Sequence, residues 1–174
     1  MAEQQLGRFE ELVLPHLDDA YTLARYLLRD EHDAQDAVQE AALRAFRHFG
    51  SLRHGNARSW LLTIVRNCCY DSHKGRRMDR SSVSLTDDDA EAIADPRSSD
   101  DLAVQSSESE RVRAAVDALS PGLREVIVLR ELSELSYKEI ADVVGVPIGT
   151  VMSRLARARN SLAAVLGDGS RKAG

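Results

Sequence analysis

The chain has 174 residues, of which 43% are apolar and only 5% aromatic, and its formal net charge is −5. That length suits one ordinary domain or two small ones, and the apolar share suffices for helical cores of Ala, Leu and Val. Its start has no basic segment followed by an apolar one, so it does not resemble a secretory signal peptide. Its apolar runs are far shorter than the ~20 residues of a membrane span. We therefore expect a cytoplasmic protein without membrane insertion.

Charge lies in blocks along the chain. Residues 44–80 hold nine basic residues against two acidic ones, and residues 86–110 hold nine acidic residues against one arginine. Arginine outnumbers lysine, and its planar guanidinium suits bidentate contacts to phosphates and bases. The pattern indicates a polyanion-binding face followed by an acidic segment. Ordinary solvated charge on helix surfaces would give the same counts.

The N-terminal part reads as helices. Leu6, Phe9, Leu12 and Val13 begin an apolar face that Pro15 breaks or bends, and residues 17–28 continue it.

In the next helix a buried stripe is predicted from three- and four-residue steps, at Ala34, Ala37, Val38, Ala41, Ala45, Phe46 and Phe49. The opposite face carries Asp36, Gln39, Glu40, Leu43 and Arg47. Gly50 ends this helix.

A basic loop, Ser51–Ser59, leads to a further helix from about Trp60 to Arg77. The adjacent cysteines Cys68 and Cys69 point about 100° apart on a helix and cannot pair without distortion. No metal-ligand spacing accompanies them, so we expect no metal site and interpret both as small apolar residues, with reactivity of one exposed thiol as the alternative.

Residues 81–107 are rich in Ser and Asp and show no sustained helical stripe, which predicts a flexible acidic linker between two domains. Such a linker is expected to compete with DNA for the basic segment that precedes it.

The C-terminal part also reads as helices. A capping box, Ser107-x-x-Glu110, precedes the first of them, and Ser120-Pro121 starts the second with proline at its first position. A second capping box, Ser136-x-x-Glu139, opens a short helix, and Thr150–Leu162 forms the last one.

The stretch 137–162 has the features of a helix-turn-helix. Ala141 is small where two helices cross closely, and Gly145 supplies a turn conformation that larger side chains resist. Val151 and Leu155 anchor the second helix. The outward side chains are then those of Met152, Ser153, Ala156, Arg157 and Arg159. Such a helix can enter a major groove, where arginine reads guanine. An ordinary helical hairpin is the simpler alternative, which the Ala–Gly spacing, the proline turn and three arginines together disfavour.

Two blocks of the sequence resemble a known family. Residues 119–162 resemble the −35-reading region 4 of the extracytoplasmic-function group of sigma factors, and residues 33–49 with 57–71 resemble region 2 of that group. The resemblance implies an all-α fold of two small helical domains. Region 2 would span residues 1–80, the linker 81–107, and region 4 residues 108–166, followed by a tail of 167–174. It also implies that the chain binds core RNA polymerase and directs promoter-specific initiation.

The resemblance assigns roles to particular residues. In the family, the D-x-V-Q-E face of region 2 docks on the clamp of the largest polymerase subunit, which here corresponds to Asp36, Gln39, Glu40 and Leu43. The family also melts the −10 element and captures a flipped base beside a loop, here Ser51–Ser59. The implied −10 contacts are Arg53, Arg58, Trp60, Arg66, Asn67, Arg76 and Arg77. For Trp60, packing in the core is the more ordinary role.

The implied −35 contacts are Thr150, Met152, Ser153, Arg154, Ala156, Arg157 and Arg159. Many relatives have a basic residue at Met152, and Ala156 offers only a methyl group. Reading of the −35 element is therefore expected to depend on Ser153, Arg157 and backbone contacts.

Other classes of protein explain the sequence less well. A sigma-like decoy that binds a regulatory protein without reading promoters would not need the basic loop, Asn67 or Arg157. A plain helix-turn-helix repressor would not need residues 8–78. An enzyme is least expected, because the five histidines show no ligand spacing and no phosphate loop or nucleophile–base pair is present. No cofactor is expected. The expected partners are core RNA polymerase through its clamp and flap, promoter DNA, and an anti-sigma factor where one exists.

Overall fold

A computed structural model describes residues 1–53, 55–78 and 108–171, without the side chains of residues 76–78 and 168–171. Within these ranges the protein forms α-helices and short 3₁₀ turns and contains no strand, in agreement with the all-α prediction. The predicted acidic linker of residues 81–107, and with it Ser107 of the first capping box, lies outside the described residues.

The helices before the linker form the N-terminal lobe. They are α1 (Ala2–Val13), α2 (Leu17–Leu28), α3 (Glu31–Arg47) and α4 (Ala57–Met78). Pro15 lies in a 3₁₀ turn between α1 and α2, as its lack of a backbone donor predicts. Asp30 caps α3, because its Oδ1 accepts a 2.9 Å hydrogen bond from the backbone N–H of Asp33.

Small residues let the helices of this lobe approach closely. Ala34, Ala41 and Ala45 on α3 are fully buried, and α3 packs against both α2 and α4. The predicted burial of Phe46 is wrong, since 42% of this residue is exposed. Phe46 lies one position round the helix from the alanine stripe, so its ring covers Phe9 edge to face, with 5.2 Å between the ring centroids. Val38 is likewise only half-buried.

The helices after the linker form the C-terminal lobe. They are α5 (Glu108–Asp117), α6 (Pro121–Glu131), α7 (Tyr137–Val144) and α8 (Ile148–Arg171). The predicted capping box at the start of α7 is present, with Ser136 and Glu139 bonded to each other's backbone N–H. Gly145 ends α7 at φ 75°, a left-handed conformation that favours glycine. The last helix begins earlier and runs longer than the predicted range of residues 150–162.

The two lobes pack against each other, with α2 on α6 and α4 on α7. Helix α6 lies between them, and six consecutive residues of it, Arg124–Leu129, are buried. A helix that meets solvent on one side buries only one stripe, so burial on every side requires partners on two faces. One face of α6 therefore belongs to the core of its own lobe and the other to the contact between the lobes.

Candidate nucleic-acid and partner interfaces

The outward face of α3 carries the four residues of the implied docking surface. Asp36 and Gln39 are exposed, and Leu43 is 49% exposed beside them. Glu40 is half-buried, and its carboxylate is held at 2.8 Å by the Nε of Arg44. Arg44 also donates to Asp71 on α4, and these two hydrogen bonds raise the pKa of its guanidinium. The face therefore combines two exposed polar side chains, a fixed carboxylate and an uncovered leucine.

The basic loop enters α4 three residues earlier than predicted. Asn56 caps the helix, because its Oδ1 accepts hydrogen bonds from the backbone N–H groups of Arg58 and Ser59, at 3.0 and 3.2 Å. Trp60 is half-buried against the core, which agrees with its ordinary packing role. Arg53 and Asn67 are exposed.

Two arginines assigned to DNA phosphates are instead engaged within the protein. The Nε of Arg58 lies 2.8 Å from Asp19, and its Nη2 donates to the backbone carbonyl of Ser133 in the other lobe. Arg66 grips Glu125 of α6 with Nε and Nη2, at 2.7 and 3.2 Å. The expectation that both side chains face open solvent is wrong for this arrangement, because the C-terminal lobe lies over their face of α4. The side chains of Arg76 and Arg77 lie outside the described part of the chain.

The adjacent cysteines face the core. Both are buried, and burial raises the pKa of each thiol, to about 12 for Cys69. Because the thiolate is the reactive form, these side chains act as small apolar groups, which confirms the packing interpretation. The described residues contain no group of three or more His, Cys, Asp or Glu side chains that could hold a metal ion.

Helix α8 presents an outward face of mixed character. Val151 and Leu155 are buried as predicted. The exposed side chains of the implied −35 set are those of Met152, Ser153, Ala156, Arg157 and Arg159. Thr150 is half-buried in the first turn of α8, and its carbonyl accepts a 3.0 Å hydrogen bond from the Ser153 hydroxyl.

The remaining arginine of the set, Arg154, turns inward. Its side chain is only 17% exposed, and its Nη1 lies 3.9 Å from the carboxylate of Glu125. The expectation that it faces DNA is therefore wrong for this arrangement. Helical spacing explains the placement, because position 154 is three residues after Val151 and four before the buried Ala158. Arg159 remains half-exposed and pairs with Glu131 at 2.8 Å.

Sequence reasoning missed the contact between the lobes. It joins Asn56 to Glu139, and Tyr70 to Glu125 through a 3.1 Å hydrogen bond from the tyrosine hydroxyl. Arg113 of α5 also lies over the ring of Tyr26 on α2, 5.9 Å from its centroid. One signal was available, since apolar residues occur on every side of α6, and a helix of that kind is covered on every side.

None of the helices in the described ranges has both the length and the apolar character needed to cross a bilayer.

Comparison with known proteins gives two family matches. Residues 12–78 match Sigma-70 region 2, and residues 109–162 match Sigma-70, region 4. Both matches fall on the surfaces described above.

Individual relatives extend these matches over most of the chain. The ECF RNA polymerase sigma factor SigE of Mycolicibacterium smegmatis is 35% identical over 154 residues, which are 88% of this chain and 60% of that relative. SigM of Mycobacterium tuberculosis, also an ECF RNA polymerase sigma factor, is 35% identical over 162 residues, 91% of this chain and 77% of SigM. The sigma factor RpoE of Bartonella quintana, solved in complex with the anti-sigma factor NepR, superposes with a TM-score of 0.72 at 30% identity, covering 92% of this chain and 97% of RpoE. The chain therefore belongs to the extracytoplasmic-function group of the sigma-70 family of RNA polymerase sigma factors.

Proposed function

We propose that the chain acts in the cytoplasm as a non-enzymatic initiation factor that brings core RNA polymerase to promoters with defined −10 and −35 elements. The supporting observation is that one chain carries three surfaces of matching chemistry. These are the exposed polar and apolar face of α3, the basic loop and α4, and the outward face of α8 behind a helix-turn-helix turn.

The α3 face is the proposed site for the clamp of the largest polymerase subunit. Asp36 and Gln39 would supply hydrogen-bonding groups, and Leu43 an apolar contact at their edge. Glu40 is held by Arg44 and so reaches a partner with little loss of side-chain freedom. The polymerase flap is the proposed partner of the C-terminal lobe, so that the two lobes would contact separate parts of one enzyme.

The loop before α4 and the exposed side of that helix form the proposed −10 surface. Asn67 is exposed and carries an amide that both donates and accepts, as a base edge requires. Arg53 is exposed beside the loop and would bind the phosphate backbone. Arg58, Arg66, Arg76 and Arg77 are assigned to the same role, the first two once they leave their contacts with the C-terminal lobe.

The N-terminal half of α8 is the proposed −35 reader. Its first turns carry Met152, Ser153 and Ala156, which offer two apolar contacts and one hydroxyl to base edges. Arg157 follows one turn later and is the arginine best placed to read a guanine. Arg159 points further round the helix, where its partner Glu131 would give way to a phosphate.

Regulation by an anti-sigma factor is proposed from likeness alone. RpoE of Bartonella quintana shares 30% of its residues with this chain, and that sigma factor was solved bound to the anti-sigma factor NepR. The two lobes of this chain would offer a comparable pair of surfaces to a protein inhibitor.

The proposed function is tested by transcription in vitro with core polymerase and a library of randomised promoters. We expect the purified chain to select templates that share one −10 and one −35 motif, detected by sequencing the transcripts. A sigma-like decoy would yield no transcript above core polymerase alone, although it would still bind a regulatory protein. That result would exclude initiation and favour the decoy.

In the same assay, Arg157→Ala is expected to lose about 1–3 kcal/mol of promoter binding and to relax the preference at one −35 base pair, because a bidentate contact to guanine is lost. Arg159→Ala is the matched control and should weaken binding to all templates evenly. It should also reduce the salt dependence by about one unit, as loss of a phosphate contact does. If both variants shift every sequence equally, Arg157 does not read a base.

A further inference from the structure

A buried carboxylate joins the two lobes. Only 1% of the Glu125 side chain is exposed, yet it lies on the face of α6 that meets the N-terminal lobe. Arg66 holds it with two guanidinium nitrogens, and Tyr70 donates its hydroxyl to the same oxygen as the Arg66 Nε. Arg154 of α8 approaches from the other side, at 3.9 Å. Glu125 thus lies between an arginine of the proposed −10 surface and one of the recognition helix.

The rest of the contact between the lobes also uses the proposed DNA-binding face of α4 and its loop. Asn56 donates to Glu139, and Arg58 donates to the backbone carbonyl of Ser133. Both residues belong to the loop and the first turn of α4 that the −10 element would meet. The contact therefore covers the same side chains that promoter DNA needs.

The contact between the lobes is also imperfectly satisfied. Among the described residues, the hydroxyls of Ser59 and Ser133 are buried without a hydrogen-bond partner. Both adjoin the bond from Arg58 to the Ser133 carbonyl. Buried polar groups in a permanent interface are almost always paired, and separation of the lobes would give both hydroxyls to water. The arrangement is therefore suited to opening.

We propose that Glu125 is an internal substitute for a DNA phosphate, a latch that holds the free chain closed by occupying Arg66 and Tyr70. This inference rests on the proposed function, since it assigns those side chains to promoter DNA. A guanidinium fork binds a carboxylate or a phosphate in the same bidentate geometry, and it cannot bind both. Closure and −10 binding are then mutually exclusive, and binding of polymerase, which would hold the lobes apart, releases the latch.

The test compares Glu125→Gln with the matched control Glu131→Gln. Both remove one negative charge from α6, but Glu131 is exposed and pairs with Arg159 of its own lobe. The probe is a labelled single-stranded oligonucleotide carrying the −10 sequence selected in the transcription assay, titrated by fluorescence anisotropy without polymerase. We expect Glu125→Gln to bind at least about tenfold more tightly than the wild type, and Glu131→Gln to change affinity by less than about twofold. The radius of gyration of the free protein should increase for Glu125→Gln alone.

Tyr70→Phe provides a second variant in case loss of the buried charge disturbs the C-terminal lobe. It removes only the hydroxyl that donates to Glu125, so the chain should keep its fold and open more readily. We expect its affinity for the oligonucleotide to rise by about threefold, as for loss of one hydrogen bond. Wild-type affinity and an unchanged radius of gyration in both variants would overturn the latch.

The proposed function is judged separately, with core polymerase present. Glu125→Gln should then initiate from the same promoters as the wild type, because the latch is already open in the holoenzyme. A wild-type chain that initiates normally, with variants that neither open nor bind DNA more tightly, would contradict the latch alone. A wild-type chain that fails to initiate would contradict the proposed function.

Discussion

Replacement of Asp36 by lysine is expected to weaken the binding of core RNA polymerase by about 2–5 kcal/mol, because a desolvated, hydrogen-bonded charge at an interface is lost and reversed. Asp36 is exposed on the side of α3 opposite the buried alanines, so the change leaves the core of the lobe intact. A lysine at this position would lie one turn before Glu40, an arrangement that favours the helix slightly. The measurement is a titration of labelled protein with core polymerase, accompanied by circular dichroism.

Glu11→Lys is the matched control for this reversal. Glu11 is exposed on α1, in the same lobe, and lies outside the proposed docking surface. The control changes the net charge of the chain by the same amount, so it reports any general electrostatic effect on affinity. Equal affinities for the two variants, with helicity preserved in both, would remove the α3 face from the docking proposal.

The second large effect is expected at Arg124, which is buried between α5 and α6. Its guanidinium donates to the backbone carbonyls of Val116, Asp117 and Leu119, at 3.3, 2.8 and 2.6 Å. These carbonyls end α5, where the last turn of a helix has no partners of its own. Burial lowers the pKa of Arg124 to about 10, so the side chain stays charged at neutral pH.

Arg124→Met should therefore destabilise the C-terminal lobe by about 3–5 kcal/mol, because three carbonyls lose their donor while the apolar stem is retained. Urea unfolding followed by circular dichroism measures the change as a lower midpoint concentration. Arg111→Met is the control, since Arg111 is exposed on α5. If the two variants unfold at the same midpoint, the carbonyls of α5 do not depend on Arg124.

Local sequence signals were sufficient to predict the helices and several of their ends. Pro15, the capping box at Ser136 and Gly145 each act through neighbouring backbone groups, so their effect depends little on the rest of the fold. The buried alanines of α3 and the buried Val151 and Leu155 of α8 follow from helical periodicity alone.

Periodicity was less informative at the margins of a stripe. Phe46 continues the three- and four-residue pattern of α3, but it lies at the edge of the packed face and stays 42% exposed. Arg154 shows the reverse error, because its charge suggested an outward position while its spacing from Val151 indicated an inward one. Position on the helix decided the placement, and a buried carboxylate at Glu125 made it compatible with the charge.

The contact between the lobes could not be predicted from helical patterns. Such patterns show which side of a helix is apolar, but not which element covers it. The basic residues of α4 indicated a polyanion as partner, and the structure gives two of them, Arg58 and Arg66, partners within the chain. Both readings follow from the same chemistry, since carboxylates and phosphates satisfy a guanidinium in similar ways.

Competition between the lobe contact and promoter DNA is tested most directly by the distance between the lobes. Fluorophores on Glu11→Cys and Ala163→Cys, both at exposed positions, would report it by energy transfer. The native cysteines are buried, with raised thiol pKa values, and should label slowly. We expect a short distance in the free chain and a longer one when core polymerase and a selected promoter are added. An unchanged short distance in complexes that are initiating transcription would contradict the competition.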